Sequence, residues 1–215
     1  MRKRDWLIPA GLVALSLVPA LGGTIRLAQV GGGNATPENA RFLAAPVAIV
    51  LHIVAAMIYS ILGAFQFSPG FRKQNRAWHR MAGRILLPAG VVVALSGLWM
   101  TLTYPWPAND GVAVFMERLI FGAAMLVSIA LGIDALRRRR YAEHGDWMIR
   151  AYAIGLGAGT QVLTHLPWFI LVDLKPGLTP RAVMMGLGWV INIALAEWLI
   201  RRPALRGRPV LATIA

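Results

Sequence analysis

No cysteine occurs in this 215-residue chain. That absence excludes disulfides, thiolate zinc sites, iron–sulfur clusters and covalently attached c-type haem, all of which need the sulfur. Charge is scarce too: Asp, Glu, Lys and Arg make up 14% of residues, against about 25% in ordinary soluble domains. Acidic side chains are scarcest, nine against 22 Lys and Arg, for a formal charge of +13. In a soluble protein such a balance would point to nucleic acid. Here 57% of residues are hydrophobic and the cations fall in short segments between apolar runs. That pattern encodes membrane topology, and the nucleic-acid reading is rejected.

What the chain does have is apolar length. Runs at about 6–23, 43–67, 84–104, 112–136, 147–172 and 181–200 each approach the roughly 20 residues needed to cross a bilayer. In lipid only helices and closed barrels satisfy their own backbone, and the alternating pattern of barrel strands is absent. The expected fold is therefore all-α, a polytopic six-helix transmembrane bundle forming one domain over 1–215.

Orientation follows from counting cations. With a cytoplasmic N-terminus the inner segments hold residues 2–4, then 72, 73, 76, 80 and 84, then 137–140 and 150, then 201, 202, 206 and 208, seventeen Lys and Arg in all. The outer segments hold four, Arg26, Arg41, Lys175 and Arg181, and Arg118 lies within a span. This predicts N-in, C-in insertion in a bacterial inner membrane. The first run also fits a cleavable signal peptide; its length favours an uncleaved helix, and cleavage would leave the other five in the same orientation. Asn34-Ala35-Thr36 matches a glycosylation acceptor and is read as chance. Trp6, Trp78, Tyr104, Trp106, Tyr141, Trp147, Trp168 and Trp198 fall near predicted span ends, where aromatic belts sit.

The four histidines sort by depth. His52 and His165 lie about 14 Å and about 10 Å inside the outer ends of the second and fifth spans, while His79 and His144 lie at cytoplasmic mouths. Ionisable residues inside a membrane are rare and usually face a bundle interior, which makes them candidates by default. Two imidazole pairs at matched depths suit bis-histidine b-type haem, with His79 and His144 as the inner ligands and His52 and His165 as the outer. Gly155, Gly157 and Gly159 would give a flat macrocycle room, and Arg84 and Arg150 would hold propionates, as Arg80 could. Each feature also has a plainer reading. Gly155-x-x-x-Gly159 is a helix-packing motif, the arginines are explained by topology, His79 and His144 fit interfacial residues in solvated basic loops, and His52 and His165 can be satisfied by a carbonyl or by Thr160, Gln161 or Thr164. Glu117, Arg118, Asn192 and Glu197 are the other polar intrusions, Glu197 within one turn of Arg201. They form no carboxylate ladder of the kind a proton-coupled transporter wants. His79 followed by Arg84, and His144 followed by Arg150, suggest an internal duplication.

The stretches LHIVAAMIYSILGAFQFSPGFR (51–72), RAWHRMAGRILL (76–87) and HGDWMIRAYA (144–153) resemble a bacterial membrane family catalogued as domain of unknown function 2306. In that family a helix bearing a histidine ends near Phe-Gln-Phe, His-Arg-x-x-Gly-Arg opens the next, and His-x-x-Trp-Met-x-Arg opens a later one. The resemblance covers about 41–198, places His52, His79, Arg84, His144, Trp147 and Arg150 on motif positions, and implies a multi-pass membrane protein without a settled activity. A looser similarity is to six-helix di-haem b-type cytochromes, which place one ligand on each of four consecutive helices; here the fourth span has no histidine and the fifth has two.

The sequence thus supports two expectations. One is a membrane oxidoreductase or electron carrier binding haem b, metal-ligated by His52, His79, His144 and His165, with a quinol or other redox partner. The other is a cofactor-free membrane component: an assembly factor, small-solute permease or partner subunit.

Overall fold

The computed structural model describes residues 6–33, 35–172 and 174–202. Arg2, Lys3, Arg4, Asn34, Arg206 and Arg208, used above for orientation or as a modification motif, lie outside them. Among the described residues every regular element is helical: α1 Leu7–Gly32, α2 Ala40–Ala44, α3 Pro46–Ala64, a 3₁₀ turn Phe65–Phe67, α4 Pro69–Gln74, α5 Arg76–Thr103, α6 Val112–Arg137, α7 Tyr141–Gly155, α8 Gly157–Leu171 and α9 Leu178–Arg201.

Among the described residues five stretches are long and apolar enough to cross a membrane: α1, α3 with its 3₁₀ turn, α5, α6 and α9. The predicted fifth span, 147–172, is not one helix. It is α7 followed by α8, 15 residues each, separated at Leu156. Fifteen residues reach only about 22 Å, short of the roughly 30 Å hydrocarbon core. Gly155 and Gly157 flank the break, and each glycine costs a helix interior about 1 kcal/mol relative to alanine. His144 and His165 therefore stand on two different helices. Two other boundaries also move: α1 continues to Gly32, and α5 begins at Arg76, so the supposed inner loop 76–84 is already helical.

α7 is the hub, packing against α3, α5, α6, α8 and α9. Around it α1 pairs with α3 and α8, α3 with α5, α5 with α6, and α8 with α9. The main core joins Tyr59, Leu86, Val93, Met125, Ile129 and Tyr152. A smaller core of Phe42, Ile49, Ile53 and Tyr104 closes one end, where the Tyr104 hydroxyl donates to the Ala45 carbonyl. Leucines and isoleucines such as Leu21, Ile25, Leu102, Ile120, Leu163 and Ile170 are exposed on the outside. Ser16, Thr101 and Ser128 are buried, each donating to the carbonyl four residues back in its own helix at 2.9, 2.7 and 2.8 Å. Apolar outside and self-satisfied hydroxyls inside is the arrangement lipid demands.

Candidate functional site

The arginine-rich end of the bundle gathers two of the four histidines. His144 lies in the first turn of α7, and its Nδ1 is 2.8 Å from the Gly132 carbonyl of α6. The helices can approach this closely because Gly132 has no side chain: a Cβ there would stand 2.2 Å from the Met148 methyl. With Nδ1–H donating to a carbonyl, Nε2 is left with its lone pair available. Metal-ligating histidines are oriented in this way.

His79, in the first turn of α5, is within electrostatic range of His144, Arg72 and Arg80. Its Nδ1 is buried and has no hydrogen-bond partner. Gln66, in the 3₁₀ turn, places its Nε2 3.5 Å from the His79 carbonyl, and the Gln66 Oε1 is likewise buried without a partner. The edge-on aromatic cluster Phe65, Phe71 and Trp78 braces this turn, with Trp78 4.9 Å from Phe71 and 6.0 Å from Phe65.

The other sequence-selected residues are placed differently. Arg84 is exposed on α5. Arg150 is engaged by Glu197 of α9 through a fork, Nε to Oε1 at 2.5 Å and Nη2 to Oε2 at 3.1 Å, with its guanidinium 4.5 Å from the Trp147 ring centroid. Arg201, the partner expected for Glu197, stands at 3.8 Å. The two His–Arg repeats are thus not equivalent in the fold.

His52 and His165 are each held through Nδ1, on helices with different neighbours. The His52 Nδ1 lies 3.1 Å from both the Val93 carbonyl and the Ser96 hydroxyl of α5, which ties α3 to α5. His165 bonds back to the Gln161 carbonyl of its own helix at 2.7 Å and stacks on Phe169. Its helix packs on α1, α7 and α9, whereas α3 packs on α1, α5 and α7.

The room expected for a macrocycle beside the glycines is also occupied. A Cβ at Gly155 would meet the Tyr59 ring at 2.8 Å, one at Gly157 the Trp189 Nε1 at 2.2 Å, and one at Gly159 the Leu15 backbone oxygen at 2.4 Å. The glycines pack α7 and α8 against α3, α9 and α1. Beside them runs a polar seam: Thr160 donates to the Asn192 Oδ1 at 2.7 Å, Asn192 Nδ2 to the Ala153 carbonyl at 3.0 Å, and Thr164 to the Met184 carbonyl at 2.7 Å.

At the opposite end the fold builds an ion cluster that sequence reading missed. Asp110, 3% exposed, takes Arg181 Nε on Oδ1, and Arg118 Nη1 stands 2.6 Å from Oδ2 as an ion pair without hydrogen-bond angles. Asp110 sits in a loop and Arg181 is 71 residues away, so no spacing announced them.

Several membrane-length apolar helices, an apolar exterior and buried hydroxyls satisfied within their own helices define an integral membrane protein of the multi-pass class. The family model described as "Predicted membrane protein (DUF2306)" matches residues 49–200, and the chain belongs to that family. No curated protein and no solved structure matches the chain.

Proposed function

We propose that this is a six-crossing protein of the bacterial inner membrane with both ends cytoplasmic, α7 and α8 together forming one broken crossing. We infer further that its working site is the inner mouth, where His79 and His144 hold a b-type haem. The observation that carries the reading is the pair of imidazoles brought within electrostatic range at one end: His144 anchored through Nδ1 on the Gly132 carbonyl, which leaves Nε2 to ligate, and His79 with a buried Nδ1 that has no hydrogen-bond partner among the described residues. Arg72 and Arg80 supply the positive charge that propionates need, in place of Arg150, which Glu197 engages. Bound there, haem would supply one-electron transfer, with a quinol or a cytosolic donor as the redox partner. The chain's own residues orient the imidazoles and shield one face with Trp78 and Phe65.

The experiment is a visible spectrum of detergent-purified protein expressed with haem supplementation. A Soret band that shifts on dithionite, and is lost in both His79→Ala and His144→Ala, is expected. Colourless protein, or a band unchanged in those variants, overturns the site.

A second reading, a cofactor-free partner subunit, is favoured by the glycine contacts of α7 and α8, where side chains occupy the space between His144 and His165. The same spectrum separates the two.

A further inference from the structure

A second site lies at the opposite end, between the first turns of α6 and α9. There a cavity of about 390 Å³ is lined by Val112 and Ala113 of α6 and Leu178, Ala182 and Val183 of α9, with Thr179 and Glu117 as its polar side chains. The volume falls within the usual range of small-molecule pockets. Val112, Leu178 and Val183 are exposed apolar residues, so the opening is on the apolar exterior of the bundle.

Glu117 is the feature that packing does not explain. Its Oε2 is buried and accepts no hydrogen bond. Its Oε1 is set against α9 at Gly186, where a Cβ would stand 2.7 Å away. The adjacent Arg118 is within electrostatic range of Glu117 but pairs with Asp110, as does Arg181 from α9. A carboxyl oxygen buried without a hydrogen bond beside a mostly apolar lining is a position from which a ligand donor could be held.

We propose that this cavity binds an apolar alcohol or phenol dissolved in the bilayer, its hydroxyl donating to Glu117. The apolar lining selects the body of the ligand. The carboxyl excludes an anion. The cationic surroundings, Arg118 and Arg181 with Arg41 in electrostatic range of both, disfavour an organic cation and leave a neutral hydroxyl donor. This site is separate from the inner histidines and stands whether or not haem binds.

The test is calorimetric titration of the full-length protein in nanodiscs with 4-heptylphenol, heptylbenzene and heptylammonium. Saturable phenol binding is expected, weakened about tenfold in Glu117→Leu, as loss of one hydrogen bond to a charged acceptor predicts, and largely kept in Glu117→Gln. Heptylbenzene should bind weakly and equally to all three. Ala113→Trp, a filling substitution at an exposed position, should abolish phenol binding with the fold intact. Equal phenol affinity in wild type and Glu117→Leu overturns the proposal. So does tighter binding of heptylammonium than of the phenol, full binding by Ala113→Trp, or no saturable binding at all.

Discussion

Gly159→Ala adds one methyl group where α8 lies against α1. The new Cβ would stand 2.4 Å from the Leu15 carbonyl oxygen and 2.8 Å from Leu15 Cγ. Real Cβ contacts essentially never fall under 3.0 Å, so α1 must withdraw by at least about half an ångström. Backbone cannot escape by changing rotamer. Overpacking of this kind typically costs about 1–3 kcal/mol, whereas replacing a helical glycine with alanine returns at most about 1 kcal/mol. The packing loss should win, leaving a net destabilisation of about 1–2 kcal/mol. Gly145→Ala in α7 is the matched control, because nothing lies within 4 Å of its Cβ position. There the propensity gain stands alone, about 0.5–1 kcal/mol stabilising. Reversible unfolding in mixed micelles measures both. If Gly159→Ala proves as stable as Gly145→Ala, α1 does not seat on α8 as described and the packing role of the glycines is wrong.

Three further outcomes are expected. The Arg150–Glu197 fork joins α7 to α9, so a double-mutant cycle with Arg150→Met and Glu197→Gln should give a coupling of about 1 kcal/mol, less than a fully dry pair because both side chains keep about a quarter of their exposure; zero coupling in unfolding titrations refutes the pairing. Tyr152→Phe removes the hydroxyl that donates to the Ser60 carbonyl at 2.6 Å and should destabilise by about 1 kcal/mol in the same assay, with Tyr59→Phe, whose ring packs without such a bond, near neutral. Since the chain has no cysteine, single substitutions report topology directly: Ala142→Cys should react with a membrane-impermeant maleimide only after the cells are opened, and Asn109→Cys in intact cells.

The helical membrane class was legible in the sequence because it depends on local quantities. Apolar runs of membrane length, the confinement of cations to short segments and the absence of strand alternation are read residue by residue, and the structure has helices at all six predicted runs. His79 and His144 were likewise legible as a pair at one level, since each follows a basic segment and opens a helix. Their orientation was not. Whether Nδ1 bonds the Gly132 carbonyl or is buried without a partner depends on which helix lies next to which, and spacing along the chain does not carry that information.

Only the tertiary structure decided the rest. It separated α7 from α8 at Leu156, where the flanking glycines let Tyr59, Trp189 and Leu15 from three other helices press in. It directed His52 to α5 and gave Arg150 to Glu197 in place of a ligand. It also drew Asp110 out of a loop to meet Arg118 and Arg181. These are meetings of residues distant in the chain, settled by how side chains of particular volume and charge fit across a helix interface. The sequence by itself determined that the chain inserts as helices, because the energy of placing backbone and apolar surface in lipid is additive along the chain; partner choice is not additive, so it emerges only when the bundle is assembled.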